Sequence, residues 1–217
     1  DAMVIRAYEL ITQSSPDRLP VLLSLFNRTA REVCEGQQYD MDFEHITDIN
    51  LDQYLMMIRL KTAVLLAASL QMGAIAGNAG AKDAAGLYRF GLGLGIAFQL
   101  RDDLLDVYAD QEDFGKVTGN DIVANKKTAL LVQALEAAGG PLREKLLQWL
   151  ENTEVPREEK IAGVRQIYDT LGIGEKTKEL IRTYHEQALA ELNGLSVPAG
   201  RTSVLRELSE LLMNRKK

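Results

Sequence analysis

Three carboxylates lie within about one helical turn of one another in the stretch FQLRDDLLDVYAD, residues 98–110. Asp102 and Asp106 are four residues apart, so on a helix they share one face, and Asp103 lies beside them. If the cluster is partly buried, two carboxylates about 4 Å apart repel each other by about 4 kcal/mol at an effective dielectric constant near 20. A cation would offset this repulsion. Mg²⁺, which takes oxygen ligands and commonly joins carboxylates to phosphates, is the ion that these residues predict.

The simplest alternative is that the three acids mark a solvated face where the helix leaves the core. The residues before them argue against it. Glycines occupy positions 91, 93 and 95 in the run FGLGLGIAFQL. Because each glycine costs a helix interior about 1 kcal/mol, three of them indicate that a neighbouring helix packs closely here. Gln99 precedes the acids by one turn, and we expect the whole group to face the interior.

Lysines suited to binding an anion occur on both sides of the acids. Lys61, followed by Thr62, interrupts the apolar run MMIRLKTAVLLAA. Such a lysine most often extends to solvent, but one that points inward needs an anion. Lys116 and Lys126 flank the loop after the acids, and a lysine-bearing loop beside a metal site can close over a polyphosphate. Each lysine alone fits an ordinary surface position; together with the acids they predict a metal–diphosphate site.

Nearly the whole chain has the pattern of helices, with only five prolines to interrupt it. The segment GQQYDMDFEHITDIN is expected to be mostly a connection, with Gln37 and Asp40 as cap or turn residues, and FGKVTGNDIVAN is expected to be a loop. We predict a single all-α domain over residues 1–217. Its helices are predicted at DAMVIRAYELITQ, Pro20 to about Glu35, a long run from Leu51 capped by Asp48 or Asn50, a long run from Lys82 through the acids, KKTALLVQALEAA, PLREKLLQWLEN, REEKIAGVRQIYDTLG, GEKTKELIRTYHEQALAELNGL and RTSVLRELSELLMNRKK.

Composition excludes several classes of protein. The net charge of −6 argues against a nucleic-acid binder. One cysteine, Cys34, allows no intramolecular disulfide, and with only two histidines a zinc site of Cys and His ligands is excluded. No secretory signal is visible, and we expect a cytoplasmic protein. The most apolar stretch, TAVLLAASLQMGAIAGNAG, is interrupted by Gln71 and Gly73, which favours a core helix over a transmembrane segment.

Several motifs resemble those of one family. GIAFQLRDDLLDVYAD followed by FGKVTGNDIVANKKT resembles the second aspartate-rich region of the trans-type prenyl diphosphate synthases, or polyprenyl synthetases, whose pattern is G-x-x-F-Q-x-x-D-D-x-x-D with a Gly-Lys shortly after. RLKTAVLL resembles their Lys-Thr motif and CEGQQYDM their Gly-Gln-x-x-Asp segment. DAMVIRAYELI resembles the helix after their first aspartate-rich region, and the NRKK ending resembles the C-termini of short-chain members.

This resemblance implies the all-α isoprenoid synthase fold, a helical bundle around a central cavity, in a homodimer. It implies a Mg²⁺-dependent transferase that joins isopentenyl diphosphate head to tail to an allylic diphosphate through a carbocation. The positions that match the family's metal site are Asp102, as a direct ligand, Asp103 and Asp106. The positions that match its catalytic residues are Lys61, Thr62 and Gln99. The positions that match its substrate-binding residues are Gln37, Lys61, Gln99, Lys116 and Lys126.

The chain departs from the family in one respect, because the first of two aspartate-rich regions is not found. That region and the arginine pair after it are expected upstream of Asp1. We therefore expect this chain to be about the C-terminal two-thirds of a synthase and inactive alone. Two alternatives are a non-catalytic partner subunit and a terpene cyclase of the same fold. The intact acids and lysines disfavour the first, and the Gln-Asp-Asp and Gly-Lys arrangement favours chain elongation, with a short product, over the second.

Overall fold

The computed structural model describes residues 2–46, 48–109, 118–152 and 154–214. Over these ranges the chain is helical and contains no strand, which confirms the predicted all-α class. A π-helical turn, Arg59–Ala63, joins α3 to α4, and a 3₁₀ turn, Ala199–Arg201, precedes the last helix. The α-helices are α1 Ala2–Ile11, α2 Leu19–Phe43, α3 Leu51–Ile58, α4 Val64–Ala76, α5 Ala81–Tyr108, α6 Asn120–Val123, α7 Ala129–Ala137, α8 Gly140–Glu151, α9 Arg157–Thr170, α10 Ile173–Asn193 and α11 Ser203–Asn214.

Helix α5, which carries the three acids, lies at the centre and packs on α4 on one side and on α10 on the other. Its glycines make these contacts possible. A Cβ atom on Gly95 would lie 2.6 Å from Cα of Ala63, and one on Gly91 would lie 2.7 Å from Cα of Ala67. Gly93 points the other way, where a Cβ would lie 3.1 Å from atoms of α10. The predicted close packing is confirmed, and it sets α5 against the segment that carries Lys61.

Helix α2 is longer than predicted. We expected a helix to about Glu35 and then a connection, but the helix continues to Phe43. Two buried contacts explain the extension. Gly36 lies directly on the backbone of the π-helical turn at Lys61, where a Cβ would overlap it, and Phe43 is buried in the core at the last turn. Tertiary packing outweighs the weak helical pattern of this segment, and it brings Asp40 to the site.

The predicted helix from Leu51 is confirmed, with a π-helical turn inside it. Of the two candidate caps, Asn50 is the cap: its side chain accepts a hydrogen bond from the Gln53 N–H, and the Gln53 side chain accepts one from the Asn50 N–H, each at 2.9 Å. Such a reciprocal box satisfies two N–H groups that otherwise lack helical partners. The π-helical turn then places Lys61 and Thr62, and turns of this kind are frequent at functional sites.

The segment after α5 was predicted to be a loop, FGKVTGNDIVAN. The described part of it is not all loop, because Asn120–Val123 forms the short helix α6. Gly119 begins α6 in the left-handed region at φ 78°, where glycine is favoured, and it packs on Ile161 of α9. This turn fixes the start of α6 close to the end of α5.

One stretch of the described chain, Leu51–Ala76, is long and apolar enough to cross a membrane on length and composition alone. Its most apolar window is 39% buried, and the helices in it pack against α2 and α5. Core helices of many proteins meet the same two criteria, so this is weak support for a membrane span. The packing agrees with the predicted core position.

Candidate active site

A cavity of about 230 Å³ lies between α2, α3, the π-helical turn and α5. Six of the predicted site residues line it: Lys61, Thr62, Gln99, Asp102, Asp103 and Lys126. The remaining lining residues are Asp40, Tyr54, Met57 and Ile58. Residues far apart in sequence therefore meet at one polar cavity with an apolar wall.

Lys61 points inward and has an anionic partner. Its Nζ lies 2.5 Å from Oδ2 of Asp40, and the two side chains are 31% and 19% exposed. Helix α2 thus supplies an anion next to this lysine. Because both groups stay partly exposed to the cavity, the ammonium can also meet a second anion there.

Thr62, Gln99 and Asp103 form a chain of hydrogen bonds across the cavity floor. The Thr62 hydroxyl donates to Oε1 of Gln99 at 3.2 Å, and Nε2 of Gln99 donates to Oδ1 of Asp103 at 3.2 Å. The bonds fix the rotamer of Gln99 between the π-helical turn and α5. They also orient the two side-chain oxygens, of threonine and glutamine, beside Lys61.

Asp103 is almost fully buried, at 2% exposure. Its carboxylate accepts hydrogen bonds from the Tyr54 hydroxyl, from Gln99 and, at 3.0 Å, from the Ala129 N–H. Burial raises the pKa of Asp103 to about 6, and these hydrogen bonds oppose that rise. Burial, with the neighbouring Asp103 charge, also raises the pKa of Tyr54 well above its usual value. Asp103 thus ties α3 and the start of α7 to α5.

Asp102 and Asp106 lie nearer to solvent, and a third acid joins them. The Asp121 N–H donates to Oδ2 of Asp106 at 3.0 Å, and Nζ of Lys126 lies 3.6 Å from Oδ1 of Asp121. Burial raises the pKa of Asp121; the charge of Lys126 opposes this, while the charges of Asp106 and Asp102 add to it. The end of α5 and the start of α6 therefore hold three mutually repelling carboxylates next to one lysine.

These acids provide only some of the ligands that a hard divalent cation needs. In the described ranges, no three Asp, Glu, His or Cys side chains lie close enough together to form a metal site by themselves. Mg²⁺ does not need three protein ligands, because it keeps several waters and is commonly bound by one or two carboxylates plus substrate phosphates. The oxygen donors of Asp102, Asp106 and Asp121, and the repulsion that raises the pKa of Asp121, suit such an ion.

Three predicted residues do not line this cavity. Asp106 lies one turn beyond Asp102 on α5, where it accepts a hydrogen bond from the Asp121 N–H. Lys116 lies outside the described residues. Gln37 is exposed on α2, one turn before Asp40, and is not among the lining residues.

Sequence reasoning missed Asp121 and Tyr54. An acid between two lysines proposed to bind an anion was a usable signal for Asp121. Tyr54 lies seven residues before Lys61, so it shares the lysine's helix face.

The sequence pattern of the polyprenyl synthetase family matches residues 1–171. Over 176 residues, 81% of this chain, the sequence is 35% identical to the short chain isoprenyl diphosphate synthase of Methanothermobacter thermautotrophicus, of which it covers 53%. A crystal structure of a geranylgeranyl pyrophosphate synthase superposes with a TM-score of 0.92 at 39% identity, covering all of this chain and 67% of that one.

The same enzyme from Corynebacterium glutamicum, solved with isoprenyl diphosphate and magnesium, superposes with a TM-score of 0.86 at 28% identity, over 98% of this chain and 60% of that one. The chain thus spans between about half and two-thirds of these proteins. The fold is the all-α isoprenoid synthase fold, as predicted. The chain belongs to the polyprenyl synthetase family.

Proposed function

We propose that this protein is a Mg²⁺-dependent prenyl diphosphate synthase. It condenses isopentenyl diphosphate head to tail with an allylic diphosphate and makes a short product. The observation that carries the proposal is the cavity in which Lys61, Lys126 and Asp102 meet Thr62 and Gln99. Because the relatives are longer than this chain, the reaction belongs to the whole protein. The names of the relatives, short chain and geranylgeranyl, support the short product.

The anionic end of the allylic substrate is bound at the cavity's charged side. Lys61 and Lys126 contact the diphosphate, and the sequence motif assigns the same role to Lys116, which lies outside the described residues. Asp102, Asp106 and Asp121 would hold Mg²⁺, which neutralises charge on the leaving diphosphate when it is bound. Asp103, whose oxygens accept hydrogen bonds inside the protein, acts by positioning α5. Gln37, which is exposed on α2 and does not line the cavity, is assigned to substrate binding by its sequence motif alone.

The hydrocarbon end needs a dry surface and oriented oxygen atoms. As the allylic C–O bond breaks, its electron pair leaves with pyrophosphate and positive charge develops on carbon. The oxygens of Thr62 and Gln99, fixed by their hydrogen bond, stabilise that charge through their dipoles. Met57 and Ile58 form an apolar wall that helps to exclude water. The alkene of isopentenyl diphosphate then forms the new C–C bond, and a proton passes to the released pyrophosphate.

We further propose a homodimer in the cytoplasm. Support for the dimer comes from α1, which has no buried residue and exposes Met3, Val4 and Ile5, at 86%, 54% and 63%. An apolar surface of this kind is typical of protein interfaces. Sedimentation velocity on the complete protein tests the proposal, and a monomer at micromolar concentration would oppose it.

Product analysis by mass spectrometry tests the reaction. The complete gene product is incubated with Mg²⁺, isopentenyl diphosphate and geranyl diphosphate, beside an Asp102→Ala variant. We expect a longer prenyl diphosphate that the variant does not make, and its mass gives the product length. A folded, complete protein that makes no product would instead support the non-catalytic partner subunit. The 217-residue chain alone, tested in parallel, shows whether it is inactive, as the sequence predicts.

A further inference from the structure

A second and larger cavity, of about 580 Å³, lies next to the candidate active site. Its walls are the end of α2, the connection between α6 and α7, and helices α7 and α8. Leu135, Leu147 and Leu150 give it an apolar surface, and Lys127 adds a cation. The two cavities share one lining residue, Lys126. The size falls within the range usual for small-molecule sites.

Lys127 is the unusual residue of this cavity. It is half-buried, and in the described structure its ammonium forms no hydrogen bond or ion pair. Burial lowers the pKa of Lys127, the direction expected for a cation that lacks a compensating anion. A charged group held in this way costs free energy unless something neutralises it.

The other charged residues of the cavity do not supply that partner. Glu44 and Glu151 line it but are exposed, and neither forms an ion pair with Lys127 in the described ranges. Lys126 pairs with Asp121 beside the candidate active site, its Nζ 3.6 Å from Oδ1 of that residue, and belongs to the charges of that site. Lys127 is therefore the cation of this cavity that is left to meet a bound anion.

The walls are fixed in place by Asn125. Its side-chain amide donates to the carbonyl of Leu150 at 2.8 Å, which ties the α6–α7 connection to α8. Asn125 has φ 53°, in the left-handed region, and this turns the chain so that Lys127 follows along the cavity wall. The Thr128 side chain then caps α7. A cavity held between two helices by such bonds exists before a ligand arrives, so less conformational entropy is lost on binding.

We propose that this cavity binds a small apolar molecule with one anionic group. The anion pairs with Lys127, and the hydrocarbon packs against Leu135, Leu147 and Leu150. This ligand binds outside the cavity of the candidate active site and is not converted there.

Titration calorimetry with decyl phosphate, in EDTA, tests the proposal on this chain. Inorganic phosphate and decanol serve as probes of the head and tail alone, and each is expected to bind at least tenfold more weakly. Lys127→Met, which keeps an apolar stem, is expected to weaken decyl phosphate binding at least tenfold. Lys145→Met, an exposed lysine on α8, is the matched control and should bind like the parent.

Two further variants make the result decisive. Lys61→Met alters the candidate active site only and should leave this binding unchanged. Leu147→Phe reduces the cavity without altering charge and should weaken binding even if Lys127→Met folds poorly. Binding that survives both Lys127→Met and Leu147→Phe, or that is lost equally in Lys61→Met, would overturn the proposal.

Discussion

The hydroxyl of Tyr54 donates a hydrogen bond to Asp103, a carboxylate that is only 2% exposed, across 49 residues of sequence. The Ala129 N–H donates to the same carboxylate at 3.0 Å. The middle acid of the DDLLD run thus connects three helices, while Asp102 faces the cavity. Adjacent carboxylates in one motif have different tasks, and buried polar groups satisfied in this way hold the cavity in shape.

Removing the Tyr54 hydroxyl should destabilise the fold. Tyr54→Phe leaves the buried Asp103 carboxylate with one donor fewer, and we expect the free energy of unfolding to fall by about 1–3 kcal/mol. Urea denaturation measures it. Tyr39→Phe is the matched control, because Tyr39 is 40% exposed and its hydroxyl makes no hydrogen bond in the described structure. Equal stability of the two variants would show that the Tyr54–Asp103 bond does not contribute.

Adding one methyl group at the α4–α5 contact should be costly. In Gly95→Ala the new Cβ would lie 2.6 Å from Cα of Ala63, so the helices must separate, and we expect a loss of about 1–3 kcal/mol in the free energy of unfolding. Gly73→Ala is the control, because a Cβ there meets no atom within 4 Å. Gly73→Ala should be neutral or stabilise α4 by up to about 1 kcal/mol. A Gly95→Ala protein as stable as the parent would refute close packing at this contact.

Lys61 should be needed for binding a diphosphate. Lys61→Met keeps the apolar stem but removes the cation next to Asp40, and we expect pyrophosphate affinity in the presence of Mg²⁺ to fall at least tenfold. Lys82→Met, at the exposed start of α5, is the charge-matched control. Calorimetric titration measures both. A similar small loss in the two variants would mean that Lys61 acts only through the protein's overall charge.

Stability should fall on mild acidification because of His185. Burial lowers the pKa of His185 below the usual value near 6.5, although the charges of Glu210 and Glu186 oppose this shift. Below about pH 6.5 the unfolded chain then binds more protons than the folded one, so folding free energy is lost as pH falls. Ring nitrogen Nε2 of His185 lies 3.3 Å from the Ser209 hydroxyl, so protonation acts on the contact between α10 and α11.

The histidine effect is isolated by comparing variants. His185→Gln keeps a polar group for Ser209 but does not titrate, so its urea midpoint should fall less between pH 7.5 and 5.5 than that of the parent. His45→Gln, at an exposed position, should behave like the parent. Identical pH profiles for all three proteins would exclude this contribution from His185.

Much of the fold follows from local patterns. The helix that begins after Asn50 was predicted because a capping residue acts on the first turn of its own helix. The close packing of α5 was predicted because its glycines follow one another at short spacing in the sequence. The extension of α2 to Phe43 was not, because it depends on Gly36 contacting the backbone of a distant π-helical turn. Such contacts leave no periodic signal in the sequence.

In the candidate site, too, some features follow from local sequence and others depend on long-range contacts. The chemistry of Asp102, Lys61 and Lys126 is indicated by residue type, and the structure brings these three residues to one cavity. The separate task of Asp103 and the presence of Tyr54 and Asp121 depend on long-range hydrogen bonds and charges. No motif shows which of two adjacent aspartates is buried.

The most direct test of the magnesium–diphosphate site is a calorimetric titration of pyrophosphate into the protein, with and without Mg²⁺, for the parent and for Asp102→Asn. We predict that tight binding needs Mg²⁺ and weakens at least tenfold in the variant, because the cation joins the carboxylates to the diphosphate. Pyrophosphate binding that is unchanged by omitting Mg²⁺ or by Asp102→Asn would contradict the assignment of these carboxylates.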